Sequence, residues 1–517
     1  MKAWTGFSLK VGLAAVLTVA LYGCGGGATT SVTPPPTPTQ AEHSDITVGT
    51  ATAGLSPFIA SVPLSGKSTS LLASITYTVA PKPNSVSAAL KATWTLTALT
   101  NRGYVKSSAI NLPVAGLYQN YANSVSYELT FSDGSTQNLK NSITTAAYKD
   151  STGVYLTPTI IKARAAGSKL GYSFFLLKSL IASPVIVDTD GEVRWMVPGV
   201  TSQMPDYFAD GQFVIGSSSS LQVMLAQLDG TQATLPVNLP QPLLSSFTHN
   251  LDPGPNGILA EFNGTDDLGV STDDIVAEIS PLTTDPPDQI FNMSDILTKY
   301  MHDNGDDPSK FVRPGVDWFH LNATTYDRSD NSVIISGRED FLIKVDYATH
   351  DIIWIFGDPT KYWHTFPSLR AKALTLVGGG LYPVGQHGTS ITFDGHLMLF
   401  NNGFWSLNQP AGEPRGENRT YSAVTSYSID ASAMTATVAW NFDYGKTIMS
   451  EVCGSAYEAG KSYLVDYATA DNWQQVRLVG LDSSKNVVFD FAYKSPQGCG
   501  AAWNAIQVPF EDLQITE

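Results

Sequence analysis

The chain has no basic cluster, few long amphipathic segments and only eight histidines. Its 46 acidic and 30 basic residues give a formal net charge of −16, which argues against nucleic acid as a partner. An anionic substrate would need a locally positive pocket in such a protein, so any gathering of His and Arg carries information. No serine nucleophile elbow, phosphate-binding glycine loop or dinucleotide fingerprint occurs, so a bulky nucleotide donor has no recognisable seat and no cofactor is implied. The early apolar run from Val11 to Leu21 is too short to span a bilayer as a stable helix.

That run reads instead as an export signal. Lys2 and Lys10 flank it, and it ends in Leu21-Tyr22-Gly23-Cys24, which resembles a bacterial lipobox. Residues 1–23 are therefore expected to be a lipoprotein-type signal peptide, with Cys24 the lipidated first residue of the mature chain. The plain alternative is an ordinary cleaved signal with an incidental cysteine. Gly25 lacks the aspartate associated with inner-membrane retention, so the expected location is exported, lipid-anchored in the outer membrane or periplasmic. Residues 24–44, with Pro34-Pro35-Pro36, read as a Pro/Gly/Thr-rich tether, and His43 is expected to be solvated there. Cys453 and Cys499 would then face an oxidising compartment and form a candidate disulfide.

A length of 517 residues calls for two or more domains. Many short β-branched runs, with abundant Gly, Pro and aromatics, predict an all-β protein. Residues 45–150 carry alternating segments at Ala73–Val79, Ala92–Ala98 and Ser126–Phe131, the pattern of a small immunoglobulin-like β-sandwich.

Residues 151–517 repeat. One sub-motif is a hairpin, seen at His249–Asn263, His387–Asn401, Cys453–Val465 and Gln203–Ile215, with the segment from His320 to Arg338 as another and Thr157–Leu176 as a poorer copy. It alternates with a second hairpin, as at Val185–Trp195, Leu342–Trp354 and Tyr427–Trp440. Two hairpins make a four-stranded blade, and a blade cannot bury both faces alone. The pattern predicts a six-bladed β-propeller after the sandwich.

This repeat places His249, His320 and His387 at one position in three successive blades, the start of an inner strand beside the central channel. Alternation puts His320 and Asn322 on one strand face, and a turn centred on Ser329 sets Arg338 opposite His320. An imidazole, a carboxamide and a guanidinium then converge on a patch suited to a tetrahedral anion. For Arg338 the plain alternative is a structural Arg–Asp pair. The hairpin at Asp394-Gly395 similarly brings Asn402 to His387, where it would orient the ring.

Two cation readings compete. Three histidines suit zinc, with Asp317 as a further ligand, although a neighbouring arginine opposes a cation. The acidic run Asp303-Asn304-Gly305-Asp306-Asp307 hints at calcium but lacks the spacing and terminal glutamate of an EF-hand loop, which favours a solvated loop. His302, His350, His364 and His396 lie outside the shared position, in loops or turns, and are given no chemistry.

Several motifs carry a family resemblance. Asp317-Trp318-Phe319-His320-Leu321-Asn322, Ser336-Gly337-Arg338, Phe356-Gly357-Asp358, Gln386-His387 and Asn402-Gly403 are together similar to the bacterial arylsulfate sulfotransferases, exported six-bladed propellers with a preceding β-sandwich. The resemblance covers nearly all the mature chain and is strongest over 317–403. It implies ping-pong transfer of a sulfuryl group from an aryl sulfate donor to a phenolic acceptor, without a nucleotide cofactor. His387 would be transiently sulfated; His320, Asn322 and Arg338 would bind the sulfuryl group; His249 would complete the pocket. The family commonly shows His-His-Asp where this chain has Thr248-His249-Asn250, and it includes members with a disulfide near the active site. A homodimer is compatible with the resemblance. The competing functions are a non-catalytic surface propeller that binds an anionic ligand or protein partner, and a three-histidine zinc hydrolase.

Overall fold

The computed structural model describes residues 43–517 apart from 108, 200–205, 240–243, 266–270, 281, 282 and 284. The expected signal peptide, Cys24 and the tether up to residue 42 lie outside the described residues. His43 does not behave as part of a solvated tether. Its ring lies 4.4 Å from that of Phe131, and Nε2 faces Asp133 Oδ2 at 3.3 Å, because the chain already packs against the turn that Asp133 opens.

Alternation of apolar and polar residues builds the first unit. Leu72–Val79 and Ala122–Phe131 each bury every second side chain, as a strand with one wet face must. They pair in a sheet with Leu90–Thr95 and Thr136–Thr144, while Ile59–Ser65 and Ala109–Ala115 form the centre of a second sheet. Trp94, Tyr77 and Tyr127 are enclosed between them; each such side chain contributes about 1.5–3 kcal/mol on burial. The segment expected as one strand over Ala92–Ala98 turns at Thr95, whose hydroxyl accepts from the Ala98 N–H at 3.0 Å and starts the helix Leu96–Asn101. A capping side chain outweighs the β-branched pattern there.

Six sheets among the described residues, antiparallel but for one outer-edge strand, form the second unit. Their innermost strands are Asn504–Gln507, Asp206–Ala209, Leu244–Pro253, Leu321–Asp327, His387–Ile391 and Ser455–Ala459, and we number the sheets as blades in that order. In blades 2 to 6 the innermost strand opens a meander of four strands, in blade 1 it arrives last along the chain, and blades 5 and 6 carry a fifth strand on their outer edge, Thr375–Val377 and Thr159–Lys162. This is a β-propeller with a β-sandwich packed against it. Fully buried Phe, Ile, Leu and Val side chains fill the spaces between neighbouring blades, which satisfies the two apolar faces of each sheet.

Two features depart from the expected organisation. Thr157–Leu176 is not a hairpin: Thr159–Lys162 pairs with Val487–Lys494 of blade 6, and Phe174–Lys178 pairs with Asn504–Gln507. Blade 1 is built from strands at both ends of the repeat region, which ties the ring shut, so the local reading failed where closure decides. Further on, Leu513–Ile515 leaves the propeller and pairs in parallel with Leu90–Thr95 of the sandwich, against the expected assignment of all of 151–517 to the propeller. The two units share one continuous core that joins Trp94 and Tyr77 to Phe174, Trp195 and Phe489. Fully buried Arg194 spans the joint, pairing with Asp188 at 2.9 Å and donating to the Gly116 carbonyl at 2.7 Å.

Between blades 3 and 4 lies the helix Met293–Asp303, which buries Met293, Leu297 and Met301 on one face. His302 is at its exposed last turn rather than in a loop. The acidic run that follows is taken up structurally: Asp303 pairs with Lys299, Asp306 accepts from the Ser368 N–H, and Asp307 caps the turn Pro308–Lys310. No helix among the described residues is long and apolar enough to cross a membrane.

Candidate active site

The inner strands of blades 3 to 6 begin irregularly, and the irregularities define one mouth. His249, His320 and Cys453 adopt positive φ values of 35°, 52° and 57°, a conformation costly for residues with a Cβ. His249 sits inside the strand Leu244–Pro253, where pairing slips between Thr248 and Leu251. His320 immediately precedes Leu321–Asp327, and His387 is the first residue of His387–Ile391. The expected common position therefore holds for His320 and His387, whereas His249 is reached by a bulge within a longer strand. Bulges re-aim side chains, and here they turn polar groups toward the channel.

The register of the blade 4 hairpin shows how this works. From Ala323 to Asp327 the strand pairs one residue out of step with a turn centred on Ser329, and a slip between Leu321 and Ala323 restores the step. The Arg338 N–H consequently donates to the His320 carbonyl at 3.0 Å, so the two residues do lie opposite. The same slip breaks the alternation that was to align Asn322 with His320. Asn322 is fully buried and donates through Nδ2 to the Gln386 carbonyl at 2.7 Å, which ties blade 4 to blade 5 beside His387.

His387 is held in one tautomer. Nδ1 faces two oxygens, Asn402 Oδ1 at 2.8 Å and the Gly385 carbonyl at 2.9 Å. Asn402 uses its amide nitrogen on the carbonyls of Ser450 and Cys453, both at 2.8 Å, so its oxygen is the end presented to the ring. Nδ1 must carry the hydrogen, and Nε2 keeps the lone pair. That lone pair accepts the Cys453 N–H at 3.2 Å. Strand pairing aligns His387 with Phe400 rather than with Asn402; the Asn402 contact is made by side chains across a bulge. Burial pushes His387 down to about 3, with Arg338 and His320 adding to the effect against the opposing bonds to Asn402 and Gly385. Cys453 is bonded to Cys499, which anchors this wall of the mouth.

The His249 and His320 rings meet edge to face, 5.0 Å apart. Burial holds His249 well below the usual histidine range, and His320, His387 and Arg338 add to it. Its Nδ1 faces the Thr248 hydroxyl at 2.9 Å, with Asp273 Oδ2 farther off at 3.9 Å. His320 differs: its Nδ1 is bonded to Asp317 Oδ2 and lies 3.4 Å from Asp273 Oδ2. Although burial opposes it, the contacts with His320, the Asp273 N–H and Arg338 hold the Asp317 carboxyl below its ordinary value. Asp273 is pushed up to about 7 by burial, with Asp317 and Asp274 contributing and His320 and Arg338 opposing.

Arg338 is braced from below. Its Nε and Nη2 both donate to Glu339 Oε1, and Glu339 Oε2 accepts the N–H groups of Leu407 and Asn408 at 2.7 and 2.8 Å. Lys361, fully buried, donates to the Glu339 carbonyl at 2.8 Å. Asp358 holds the long loop after Asn402 by accepting the Glu417 N–H at 2.7 Å. The Phe356-Gly357-Asp358 motif thus serves the frame rather than the mouth.

His249, Asp273 and His320 bring potential donor atoms within 4.8 Å of one another, the one grouping among the described residues spaced for a cation. His320 Nδ1 is already engaged by carboxylate, and Arg338 is close enough to depress both His249 and His387. The fixed guanidinium makes the mouth a better host for an anion. The expected residues His249, His320, His387 and Arg338 are brought together, with Asn322 behind them. Sequence reasoning missed Asp273, the pairing of Asp317 with His320, and the roles of Glu339 and of the Cys453 N–H. Asp273 sits on the third strand of another blade, where no spacing rule points to His320.

Residues 159–499 match the family described as Arylsulfotransferase (ASST), and residues 49–148 match the Arylsulfotransferase Ig-like domain. The chain belongs to the arylsulfotransferase family. Curated relatives include the arylsulfate sulfotransferase AssT of Escherichia coli O6:H1, 30% identical over 26% of this chain and 24% of that protein. The AssT of Lelliottia amnigena is 29% identical over 25% of this chain and 23% of that protein. The aligned stretch therefore spans about a quarter of the curated relatives' length. Among solved structures, the β-propeller domain of Myceliophteria thermophila Cps50 (Swd1) aligns with a TM-score of 0.34 at 11% identity, over 66% of this chain and 90% of that one.

Proposed function

We propose that this protein is an arylsulfate sulfotransferase that moves a sulfuryl group from an aryl sulfate to a phenolic acceptor through a sulfohistidine at His387, without a nucleotide cofactor. The observation that carries the reading is the state of His387: neutral, with its hydrogen fixed on Nδ1 by Asn402 and Gly385 and its lone pair on Nε2. A neutral imidazole is a competent nucleophile, and fixing one nitrogen orients the other.

Nε2 attacks sulfur as the bond to the phenol oxygen breaks. Because Nδ1 keeps its hydrogen, the sulfated ring is cationic and gives the group up readily to a second phenol. Charge spreads over the sulfuryl oxygens in a loose transition state, by analogy with phosphoryl transfer. Arg338 and the N–H of Cys453 supply donors around that position, while Asn322 braces the strand that carries His387 from behind. Losing one such donor costs about 3 kcal/mol, roughly a hundredfold in rate. Export and lipidation at Cys24 belong to the same reading, and the Cys453–Cys499 disulfide supports an oxidising location.

The test is p-nitrophenyl sulfate with and without phenol. Phenol should accelerate release of p-nitrophenol, and donor alone should leave one sulfuryl group on the peptide that contains His387. An unlabelled His387 in a rapidly quenched, active reaction overturns the sulfohistidine. Binding without any transfer would favour a non-catalytic propeller, and loss of activity to chelators a zinc hydrolase.

A further inference from the structure

Two histidines besides the proposed nucleophile face the mouth, and their surroundings divide the proton chemistry between them. Resting on the transfer reading above, we propose that Asp317 positions His320, and not His249, as the group that hands a proton to the departing phenol oxygen.

The geometry is one-sided. Asp317 is held in its ionised form, an ionised carboxylate oxygen only accepts hydrogen bonds, and His320 Nδ1 is bonded to its Oδ2, with Asp273 Oδ2 3.4 Å away. Nδ1 therefore carries a hydrogen, and Nε2 is the nitrogen left to exchange protons. Asp317 is itself fixed: Oδ1 accepts the Asp273 N–H at 3.1 Å, and its carbonyl accepts Asn408 Nδ2 at 2.7 Å. The charged and titratable groups around His320 are Asp317, Asp273, His249, His387 and Arg338. His249 has no bonded carboxylate. Its Nδ1 meets a neutral hydroxyl, Asp273 Oδ2 is 3.9 Å away, and burial keeps the ring uncharged.

In the first half-reaction the Nε2–sulfur bond forms at His387 as the sulfur–oxygen bond breaks. The electron pair of the broken bond stays on the phenol oxygen, which takes the proton from Nε2 of His320. In the second half-reaction the acceptor oxygen bonds to sulfur as the Nε2–sulfur bond breaks, the pair returns to Nε2 of His387, and the acceptor's proton passes to Nε2 of His320. Asp317 never touches the substrate. It acts through the ring.

Leaving-group dependence separates this role from a merely structural one. Phenol release is followed in a single turnover with p-nitrophenyl sulfate, whose phenolate leaves without help, and with phenyl sulfate, whose phenolate does not. Asp317→Asn should slow release from phenyl sulfate about 100-fold and release from p-nitrophenyl sulfate by a far smaller factor. Asp273→Asn should show the same selectivity more weakly. Equal losses from both donors, or no loss from phenyl sulfate, overturn the proposal. Should Asp317→Asn fail to fold, a series of substituted phenyl sulfates with the wild-type protein decides. A rate nearly independent of phenol acidity supports proton donation, and a steep fall with weaker acids overturns it. Release without any label on His387 would strike the sulfohistidine and leave this comparison intact.

Discussion

The backbone N–H of Cys453 meets Nε2 of His387 at 3.2 Å. A ring that reacts at Nε2 exchanges that hydrogen bond for a bond to sulfur, and the same N–H is left beside the arriving sulfuryl oxygens. Cys453 holds its positive φ between the bridge to Cys499 and the bond from Asn402 to its carbonyl.

The bridge is expected to matter for stability and for rate. It closes a loop across a separation of 46 residues, for which chain entropy gives about 4 kcal/mol. The double variant Cys453→Ser with Cys499→Ser should denature at clearly lower guanidinium concentration. It should also lose kcat, because the wall that carries the Cys453 N–H loosens. Denaturation curves and steady-state rates on the same samples check both.

Asn402 can be tested from two sides. Asn402→Ala frees the ring to take the other tautomer and should lower kcat about 100-fold, the scale of a misplaced reacting group, with KM little changed. Asn402→Asp places an anion on Nδ1, favours the imidazolium and moves the acid limb of the rate profile to higher pH. A pH series of initial rates for both variants distinguishes lost orientation from altered protonation.

Arg338→Lys is expected to be nearly as damaging as Arg338→Gln. The guanidinium donates to Glu339 through two nitrogens, and an ammonium cannot reproduce that fork. A loss of about 100-fold in kcat/KM for either substitution is the expected outcome, read with p-nitrophenyl sulfate.

The low value of His387, about 3, fixes the direction of one pH effect. The neutral ring is the nucleophile, and lowering its value extends the neutral form to acid. Labelling of His387 by p-nitrophenyl sulfate should therefore show no protonation limb from pH 8 down to about pH 5, where a solvated histidine would be largely charged. Rapid-quench mass measurement of the labelled peptide across that range is the check.

Asp466 gives a stability prediction. It is fully buried, its two carboxylate oxygens have no hydrogen-bond partner among the described residues, and burial raises its carboxyl well above the ordinary value. The folded state thus keeps a proton that the unfolded chain releases above about pH 4, and stability falls as pH rises toward the raised value. Asp466→Asn removes that dependence. Its Tm should exceed that of the native chain at pH 8, with a smaller gap at pH 5, as calorimetry at the two values would show.

Much of this was legible in the chain. Hairpins at regular intervals marked the blades because each must turn an alternating strand back on itself, and three histidines in matching hairpins marked the mouth. What escaped was what repeats do not encode. Strand exchange at closure depends on residues more than three hundred positions apart, as Phe174–Lys178 pairs with Asn504–Gln507. Bulges at His249 and Asn322 overrode the simple alternation by which side chains were assigned to faces. Asp273 joined His320 from a neighbouring blade, a contact that only the assembled ring creates.

Asn504–Gln507 completes the first blade and Leu513–Ile515 completes a sheet of the sandwich. Domains along a polypeptide commonly fold in the order in which they emerge from the ribosome. Here both wait for strands translated within the same dozen positions, 504–515, so neither architecture can be finished while that stretch is still being made. The sandwich and the propeller share a single moment of completion.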